Sequence, residues 1–235
     1  MKHIFLIFLI CFCAMAAHAS DTFIANYIAR GAGLHLMNGQ MDLVMGKKDY
    51  KSLLQTETMG LLSVLLPAKT TFLTEGTHRE NTYKIDVSTM TNVSGKKVKN
   101  RHIDLSNKPG FVDYQTAVLT VMNLPKPQTK EFKIFDGKRE LLVTFTYRGK
   151  ETLESNKYSS FEGEADYYTV NIDITAGKKK GWFFNRMKDK TSPPLHVYFA
   201  RLGKNGEEVL VRGAFDTSIF GTITIYMTDL KQGEN

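Results

Sequence analysis

The chain has 235 residues, a formal net charge of +7, and two cysteines, Cys11 and Cys13, which both fall within the first twenty residues. The absence of any later cysteine excludes a disulfide-stapled mini-protein, a zinc ribbon, a thiol nucleophile and a CxxC redox site in the rest of the chain. The length suits one domain, because all-β barrels and sandwiches of about 200–250 residues commonly share a single core.

The N-terminus has the pattern of a secretory signal peptide. Lys2 provides the positive charge, residues 4–17 form an apolar run, and Ala17-His18-Ala19 is a small-x-small cleavage site. The apolar run is shorter than the roughly 20 residues of a transmembrane helix, and neither cysteine follows the small residue that a lipoprotein anchor requires. We therefore expect cleavage between Ala19 and Ser20, which leaves one periplasmic domain over residues 20–235 with no transmembrane segment.

Alternation of apolar and polar residues predicts about ten β-strands along the rest of the chain. The predicted strands are 23–30, 34–45, 50–58, 83–93, 98–105, 142–147, 170–175, 195–202, 207–212 and 221–230. Ser94-Gly95 and Asn205-Gly206 supply hairpin turns, because both dipeptides tolerate positive φ. No linker and no repeated period divides these strands, which favours one continuous domain.

Two short segments are predicted to be helical. Residues 60–66 are expected to form one or two turns of buried helix that end at Pro67. The second helix runs from Asp113, as its N-cap, to Asn123, and it ends before Pro125. Its apolar side chains, at the spacing of one helix face, are Ala117, Val118, Val121 and Met122.

These elements predict a mainly β fold, built on a single antiparallel sheet with two short helices. An exposed sheet edge invites association with other chains, and closure removes it. We therefore expect a strongly curled sheet that closes into a barrel or half-barrel.

The sequence offers no motif for catalysis or metal binding. Four histidines remain after processing, namely His35, His78, His102 and His196, and none is spaced from another as metal ligands usually are. Nucleophile elbows, P-loops and dinucleotide fingerprints are absent. We therefore predict no catalytic residue, no metal and no cofactor.

One basic and aromatic run could contact an anionic lipid surface or lipopolysaccharide. Its contact residues are predicted to be Lys178, Lys179, Lys180, Trp182, Arg186 and Lys188. The commoner alternative is a solvated loop whose aromatic side chains tuck into the core. Export makes nucleic acid a poor partner for the same charges.

Several landmarks resemble a bacterial family known as domain of unknown function 3108. They are Tyr27 to Gly33, Tyr50, the Thr58-Met59-Gly60-Leu61 step and the turn Phe135-Asp136-Gly137-Lys138-Arg139. The resemblance implies secretion to the periplasm of Gram-negative bacteria and a β-protein with barrel-like curvature, but no agreed activity. Independently of it, Asp136-Gly137 predicts a tight hairpin, in which Arg139 pairs with Asp136 or with a carboxylate across the sheet.

The sequence thus predicts a non-enzymatic periplasmic protein that binds an apolar or lipid-like ligand, or an exported partner, in maintenance of the cell envelope. The alternative is an envelope scaffold with a solid core, which binds another protein through a strand edge or a surface patch. An enzyme is a third hypothesis, which needs titratable groups that converge in one pocket.

Overall fold

The structure is a computed structural model, and it describes residues 21–79, 82–124, 127–159, 161–177, 194–202, 207–217 and 219–234. Its strands are β1 (Asp21–Gly31), β2 (Leu34–Met45), β3 (Asp49–Thr58), β4 (Ala68–Arg79), β5 (Thr82–Ser94), β6 (Lys97–His102), β7 (Phe111–Val112), β8 (Lys130–Phe135), β9 (Arg139–Leu153), β10 (Gly163–Gly177), β11 (Leu195–Leu202), β12 (Glu207–Thr217) and β13 (Gly221–Glu234). The two helices are α1 (Gly60–Leu65) and α2 (Tyr114–Met122).

The described strands form one sheet in the order β6-β5-β4-β3-β2-β1-β13-β12-β11-β10-β9-β8-β7. Almost every neighbouring pair is also consecutive in the chain, so hairpins build nearly the whole sheet. The pairing of β1 with β13 joins the two halves, because it brings the start of the described chain beside its end. The prediction of a mainly β fold with two short helices is confirmed.

Two details of the predicted fold are corrected. The sheet is mixed, because β7 runs parallel to β8, and the chain connects these two strands through α2. In the part of the chain that the structure describes, the sheet is also open, since β6 and β7 form its two edges and do not pair with each other, and it is not strongly curled as predicted. A two-residue β7 offers too short a ladder for closure, and β6 is exposed on both faces with Lys97, Lys99 and Arg101 along it.

One face of the sheet, which we call the inner face, carries the core. On β1, Phe23, Ala25, Tyr27 and Ala29 are all buried, and the residues between them are half-buried on the outer face. This alternation places one row of side chains in the core and leaves the other row in contact with water. The same pattern continues through β2 and β3.

Helix α2 packs against the inner face. Asp113 caps the helix by accepting a hydrogen bond from the backbone N–H of Thr116 at 2.8 Å, as the sequence predicts. All but one of its nine residues are buried. A helix that is apolar on nearly every side is expected in a core and not on a surface.

Buried polar groups fasten α2 to the inner face of β3, β4 and β5. The Asp113 carboxylate accepts hydrogen bonds from Thr74 Oγ1 at 2.5 Å and from Ser88 Oγ at 2.7 Å. Gln115 accepts a hydrogen bond from Ser52 and donates to the carbonyl oxygen of Phe72 at 3.2 Å. Each of these buried polar side chains has a hydrogen-bond partner, so the network fixes the position of α2 on the sheet.

Helix α1 forms where it was predicted, but it is not a buried helix. Leu62 is buried, whereas Leu61, Val64 and Leu65 are 61%, 78% and 67% exposed. The reason is that α1 lies beyond the end of β3 and past the inner face, so only the side chain of Leu62 reaches the core.

Candidate functional site

One end of the sheet carries the exposed apolar side chains of the described part of the chain. The six large ones are Leu34, Leu61, Val64, Leu65, Val98 and Ile219, with exposed fractions from 41% to 78%. Register places the turns β1–β2, β5–β6 and β12–β13 at this end, together with α1. We call the surface formed by these six residues the apolar end.

Direct contacts connect the four segments that form the apolar end. The backbone N–H of Met59, just before α1, donates to the carbonyl oxygen of Leu36 on β2 at 2.8 Å. Gly95, in the β5–β6 turn, donates to the carbonyl oxygen of Pro67 at 3.3 Å. Gly31 lies so close to Phe220 that a Cβ added there would be 3.1 Å from the Cβ of Phe220. The segments that carry the exposed apolar groups are therefore neighbours at this end of the sheet.

Lysines lie next to the apolar end on the side formed by β4, β5 and β6. Lys69 follows α1 near the start of β4, Lys96 lies in the β5–β6 turn, and Lys97 is the first residue of β6. All three are exposed. The structure thus places positive charge beside exposed apolar groups, which is the combination that anionic lipid surfaces attract.

The predicted contact residues Lys178, Lys179, Lys180, Trp182, Arg186 and Lys188 lie outside the described residues, as do Ala19 and Ser20. Strand β10 ends just before them at Gly177, which pairs with Arg139 at the same end of the sheet as the apolar end.

The turn from Phe135 to Arg139 is organised around a buried carboxylate. Asp136 is 2% exposed, and its Oδ1 accepts hydrogen bonds from the backbone N–H groups of Lys138 at 2.9 Å and Arg139 at 2.8 Å. Its Oδ2 accepts from both Nε and Nη2 of Arg139. Two partners were predicted for Arg139, namely Asp136 and a carboxylate across the sheet. In the structure its partner is Asp136, within the turn.

The turn also joins the two halves of the sheet. Arg101 on the edge strand β6 donates to the carbonyl oxygen of Asp136 at 2.7 Å. Gly137 has a φ of +79°, and a Cβ there would lie 2.5 Å from Cδ of Arg101. The motif therefore needs glycine both for its conformation and for this close approach, and its chemistry is that of a structural clamp.

The four histidines are dispersed over the sheet. His35 hydrogen bonds Asn38 at 2.7 Å, His78 hydrogen bonds the carbonyl oxygen of Gly46 at 2.9 Å, and His196 hydrogen bonds Tyr167 at 2.6 Å. His102 is exposed on β6. Within the described residues no three His, Cys, Asp or Glu side chains converge as a metal site would require.

A buried glutamate is a titratable group that the sequence does not single out. Glu208 on β12 is 7% exposed, and burial raises its pKa to about 7, reinforced by the charge of Asp166 and partly offset by Arg201. Arg201 Nε lies 3.4 Å from the Glu208 carboxylate. From the sequence, a glutamate at the second position of a strand is expected to be exposed to solvent. Its burial therefore depends on tertiary packing.

The outer face has an open cavity of about 410 Å³ over β1 to β4 and β13. Polar groups form about half of its lining, and they include side chains of Asn26, Asn38, Gln40, Gln55 and Glu57. A lipid chain needs an apolar lining, so this cavity does not suit the apolar ligand predicted from the sequence.

Among the described residues, no helix combines the length and the apolar character needed to cross a bilayer.

Comparison with known proteins gives one finding. No curated protein matches the chain. The family described as a protein of unknown function, DUF3108, matches residues 26–228, which include the whole of the sheet from the middle of β1 to the middle of β13. The resemblance drawn from the turn and the glycine landmarks is confirmed, and the chain belongs to the DUF3108 family.

Proposed function

We propose that the protein is an exported, non-enzymatic protein of the cell envelope that binds an anionic lipid surface through the apolar end. The observation that carries the proposal is the gathering of all six exposed large apolar side chains of the described residues at one end of the sheet. Exposed apolar groups that gather in one region of a protein are typical of a binding surface.

The size of the apolar contribution is sufficient for reversible membrane binding. Leu61, Val64 and Leu65 are each more than 60% exposed. Transfer of such a side chain from water to lipid contributes about 1 kcal/mol or more, so six contribute on the order of 6 kcal/mol. Part of this is offset by the lost freedom of the protein on the surface.

Charge supports the choice of an anionic surface over a neutral one. The chain has a formal net charge of +7, and Lys69, Lys96 and Lys97 lie beside the apolar end. A lysine close to an anionic bilayer contributes about 1 kcal/mol, and this contribution is screened by salt.

The burial of α2 against the inner face favours binding at the surface over storage of a ligand inside. Helix α2 occupies the inner face, where Tyr114, Val118 and Leu119 are almost completely buried. This packing supports a solid core in the described part of the chain, as in the scaffold hypothesis, and we propose that the lipid-like ligand of the first hypothesis binds outside it.

Vesicle flotation tests the proposal. We expect the protein to float with vesicles of phosphatidylcholine and phosphatidylglycerol, and the double variant Val64→Glu/Leu65→Glu to lose at least tenfold in affinity. Lys47→Glu is the matched control, because it changes net charge by the same amount in the exposed β2–β3 turn at the opposite end. Equal loss in both variants would mean that only net charge matters, and the proposal would be wrong.

Export is tested separately from membrane binding. Cell fractionation followed by N-terminal sequencing of the mature protein should give a chain that begins at Ser20 in the periplasmic fraction. A chain that retains Lys2 and remains in the cytoplasm would contradict this part of the proposal.

A second candidate is binding of another envelope protein along β6. Strand β6 is the last strand of the sheet on its side among the described residues, and an exposed edge strand is a surface for strand addition. Its lysines oppose that use, since charged edge residues discourage pairing. Cross-linking in cells that captures one dominant protein through residue 98 or 100, with no vesicle binding, would favour this candidate.

A further inference from the structure

The outer face next to the apolar end has a group of cations and tyrosines, which we call the arginine–tyrosine cluster. It consists of Arg30 on β1, Lys157 and Tyr158 in the β9–β10 connection, Arg212 on β12 and Tyr226 on β13. Register pairs Tyr226 directly with Arg212 on one side and with Ile28 on the other. Arg30 is two residues further along β1, on the same face as Ile28.

The side chains of the cluster are stacked on one another. The guanidinium carbon of Arg30 lies 4.1 Å from the ring centroid of Tyr158, and the rings of Tyr158 and Tyr226 are 5.8 Å apart. Arg212 lies 5.6 Å from the ring centroid of Tyr226. The two tyrosines thus separate the two guanidinium groups and hold them on the outer face.

The positive charges of the cluster have no acidic partner. Within the described chain, no carboxylate lies at ion-pair distance from Arg30, Lys157 or Arg212, although other arginines do have one, such as Arg139 with Asp136. Three cations at one place without a counter-charge form a site that favours an anion.

The hydrogen bonds of the two arginines orient their charge without neutralising it. Arg30 Nη2 donates to the carbonyl oxygen of Gly33 at 2.6 Å, and Arg212 Nη2 donates to the carbonyl oxygen of Glu154 at 3.1 Å. Each guanidinium has five N–H donors, so most of its donors are left for another acceptor. Arg212 Nε is buried without a hydrogen-bond partner.

Local electrostatics agrees with an uncompensated positive site. A hydrogen bond from Lys157, together with the charge of Arg30, lowers the pKa of Tyr158. A tyrosine responds in this way when its surroundings favour negative charge.

The chemistry of the cluster fits a phosphate group. The planar fork of arginine matches the oxygens of a phosphate, and tyrosine hydroxyl groups can donate to the same oxygens. The phosphate oxygens can accept from one guanidinium fork and, at the same time, from a neighbouring lysine or tyrosine hydroxyl group.

The position of the cluster favours a lipid as the source of that phosphate. Arg30 donates a hydrogen bond to the carbonyl oxygen of Gly33, and the residue after Gly33 is Leu34 of the apolar end. When the apolar end is inserted in the acyl region, the strand residues of the cluster lie one to three residues further from the bilayer centre than the end of β1, at the depth of the headgroups. Tyrosine and arginine are well suited to this depth, because each combines an apolar body with a polar tip.

We propose that the arginine–tyrosine cluster binds the phosphate of an anionic lipid headgroup while the apolar end is seated in the membrane. The identity of the ligand rests on the proposed function, whereas the capacity of the cluster for phosphate does not.

Calorimetric titration with glycerophosphoglycerol, which is the headgroup of phosphatidylglycerol without its acyl chains, tests the cluster apart from the apolar end. Wild type and Val64→Glu/Leu65→Glu should bind this probe with the same Kd, and Arg30→Gln/Arg212→Gln should bind at least tenfold more weakly. The matched control Lys133→Gln/Arg148→Gln removes the same charge from β8 and β9 and should bind like wild type. Circular dichroism verifies that each variant is folded, and Arg30→Lys, which keeps the charge without the fork, should be intermediate.

The outcomes separate the two proposals. Unchanged affinity in Arg30→Gln/Arg212→Gln, or equal loss in the control pair, would overturn the phosphate site. Loss of vesicle flotation in Val64→Glu/Leu65→Glu, with probe binding unchanged, supports both proposals. Tighter binding of inorganic phosphate than of glycerophosphoglycerol would overturn the lipid headgroup as the ligand and assign the site to free phosphate.

Discussion

Asp136 is the residue whose removal should damage the fold most, because it holds a nearly buried arginine. The side chains of Asp136 and Arg139 are 2% and 11% exposed, and the carboxylate also accepts two backbone hydrogen bonds. Asp136→Ala removes these bonds and leaves the guanidinium without its counter-charge. Breaking a buried pair in this way costs about 3–5 kcal/mol, which is a large part of the stability of a typical domain.

The assay is urea unfolding followed by circular dichroism, at constant salt and pH 7. We expect a loss of about 4 kcal/mol for Asp136→Ala, and a smaller loss for Asp136→Ala/Arg139→Met than the two single losses together, because the double variant removes both charges of the buried pair. Glu164→Ala is the control, since Glu164 pairs with Lys150 on the surface with both side chains more than half exposed, and should cost less than about 1 kcal/mol. A loss below about 1 kcal/mol for Asp136→Ala, or strictly additive losses, would refute the clamp.

Three further substitutions test other parts of the fold. Because burial raises the pKa of Glu208 to about 7, the folded state retains a proton that the unfolded chain releases near 4.5, so stability should fall as pH rises between these values, by at most about 3 kcal/mol. Glu208→Gln should remove that slope in thermal unfolding at pH 5 and pH 8, and an unchanged slope would contradict the assignment. Gly137→Ala should lower the melting temperature more than Gly95→Ala, because both have positive φ but only Gly137 lies against Arg101; equal shifts would contradict the close approach. Asp113→Ala should cost about 3 kcal/mol by removing the helix cap and the partner of Thr74 and Ser88, and a loss below 1 kcal/mol in urea unfolding would show that the network is dispensable.

Much of the sheet could be predicted because hairpins with alternating side chains build it. The bounds predicted for β2 and β11 agree with the structure, and Asp113 caps α2 as its position before an apolar run suggests. Periodicity identifies such elements because each strand shows one face to the core and the other to water.

Strand β4 was not predicted, and the reason lies on its inner face. The buried positions of Ala68–Arg79 include Thr70, Thr74 and Gly76, so apolar residues do not alternate with polar ones there. Thr74 is needed as a partner for Asp113, which only the folded arrangement reveals. Buried polar networks hide a strand from a pattern that relies on hydrophobicity.

The candidate site could not be predicted, because its residues are far apart in the chain. Leu61, Val64 and Leu65 have the composition of a core helix, and their exposure follows only from where α1 sits beyond the sheet. Arg30 and Arg212 come together only through the pairing of the first strand with the last. The predicted closure of the sheet is also wrong, because a parallel crossover through α2 leaves β7 as a short second edge.

The depth of a spin label in a membrane tests the central claim most directly. With the only cysteines of the chain in the first twenty residues, a mature protein that carries Val64→Cys can be labelled at one position, and Lys47→Cys provides the same label at the opposite end. On phosphatidylglycerol-containing vesicles, the label at residue 64 should enter the acyl region and become accessible to oxygen, while the label at residue 47 stays in water. A bound protein whose residue 64 remains as accessible to aqueous relaxing agents as residue 47 would contradict the account.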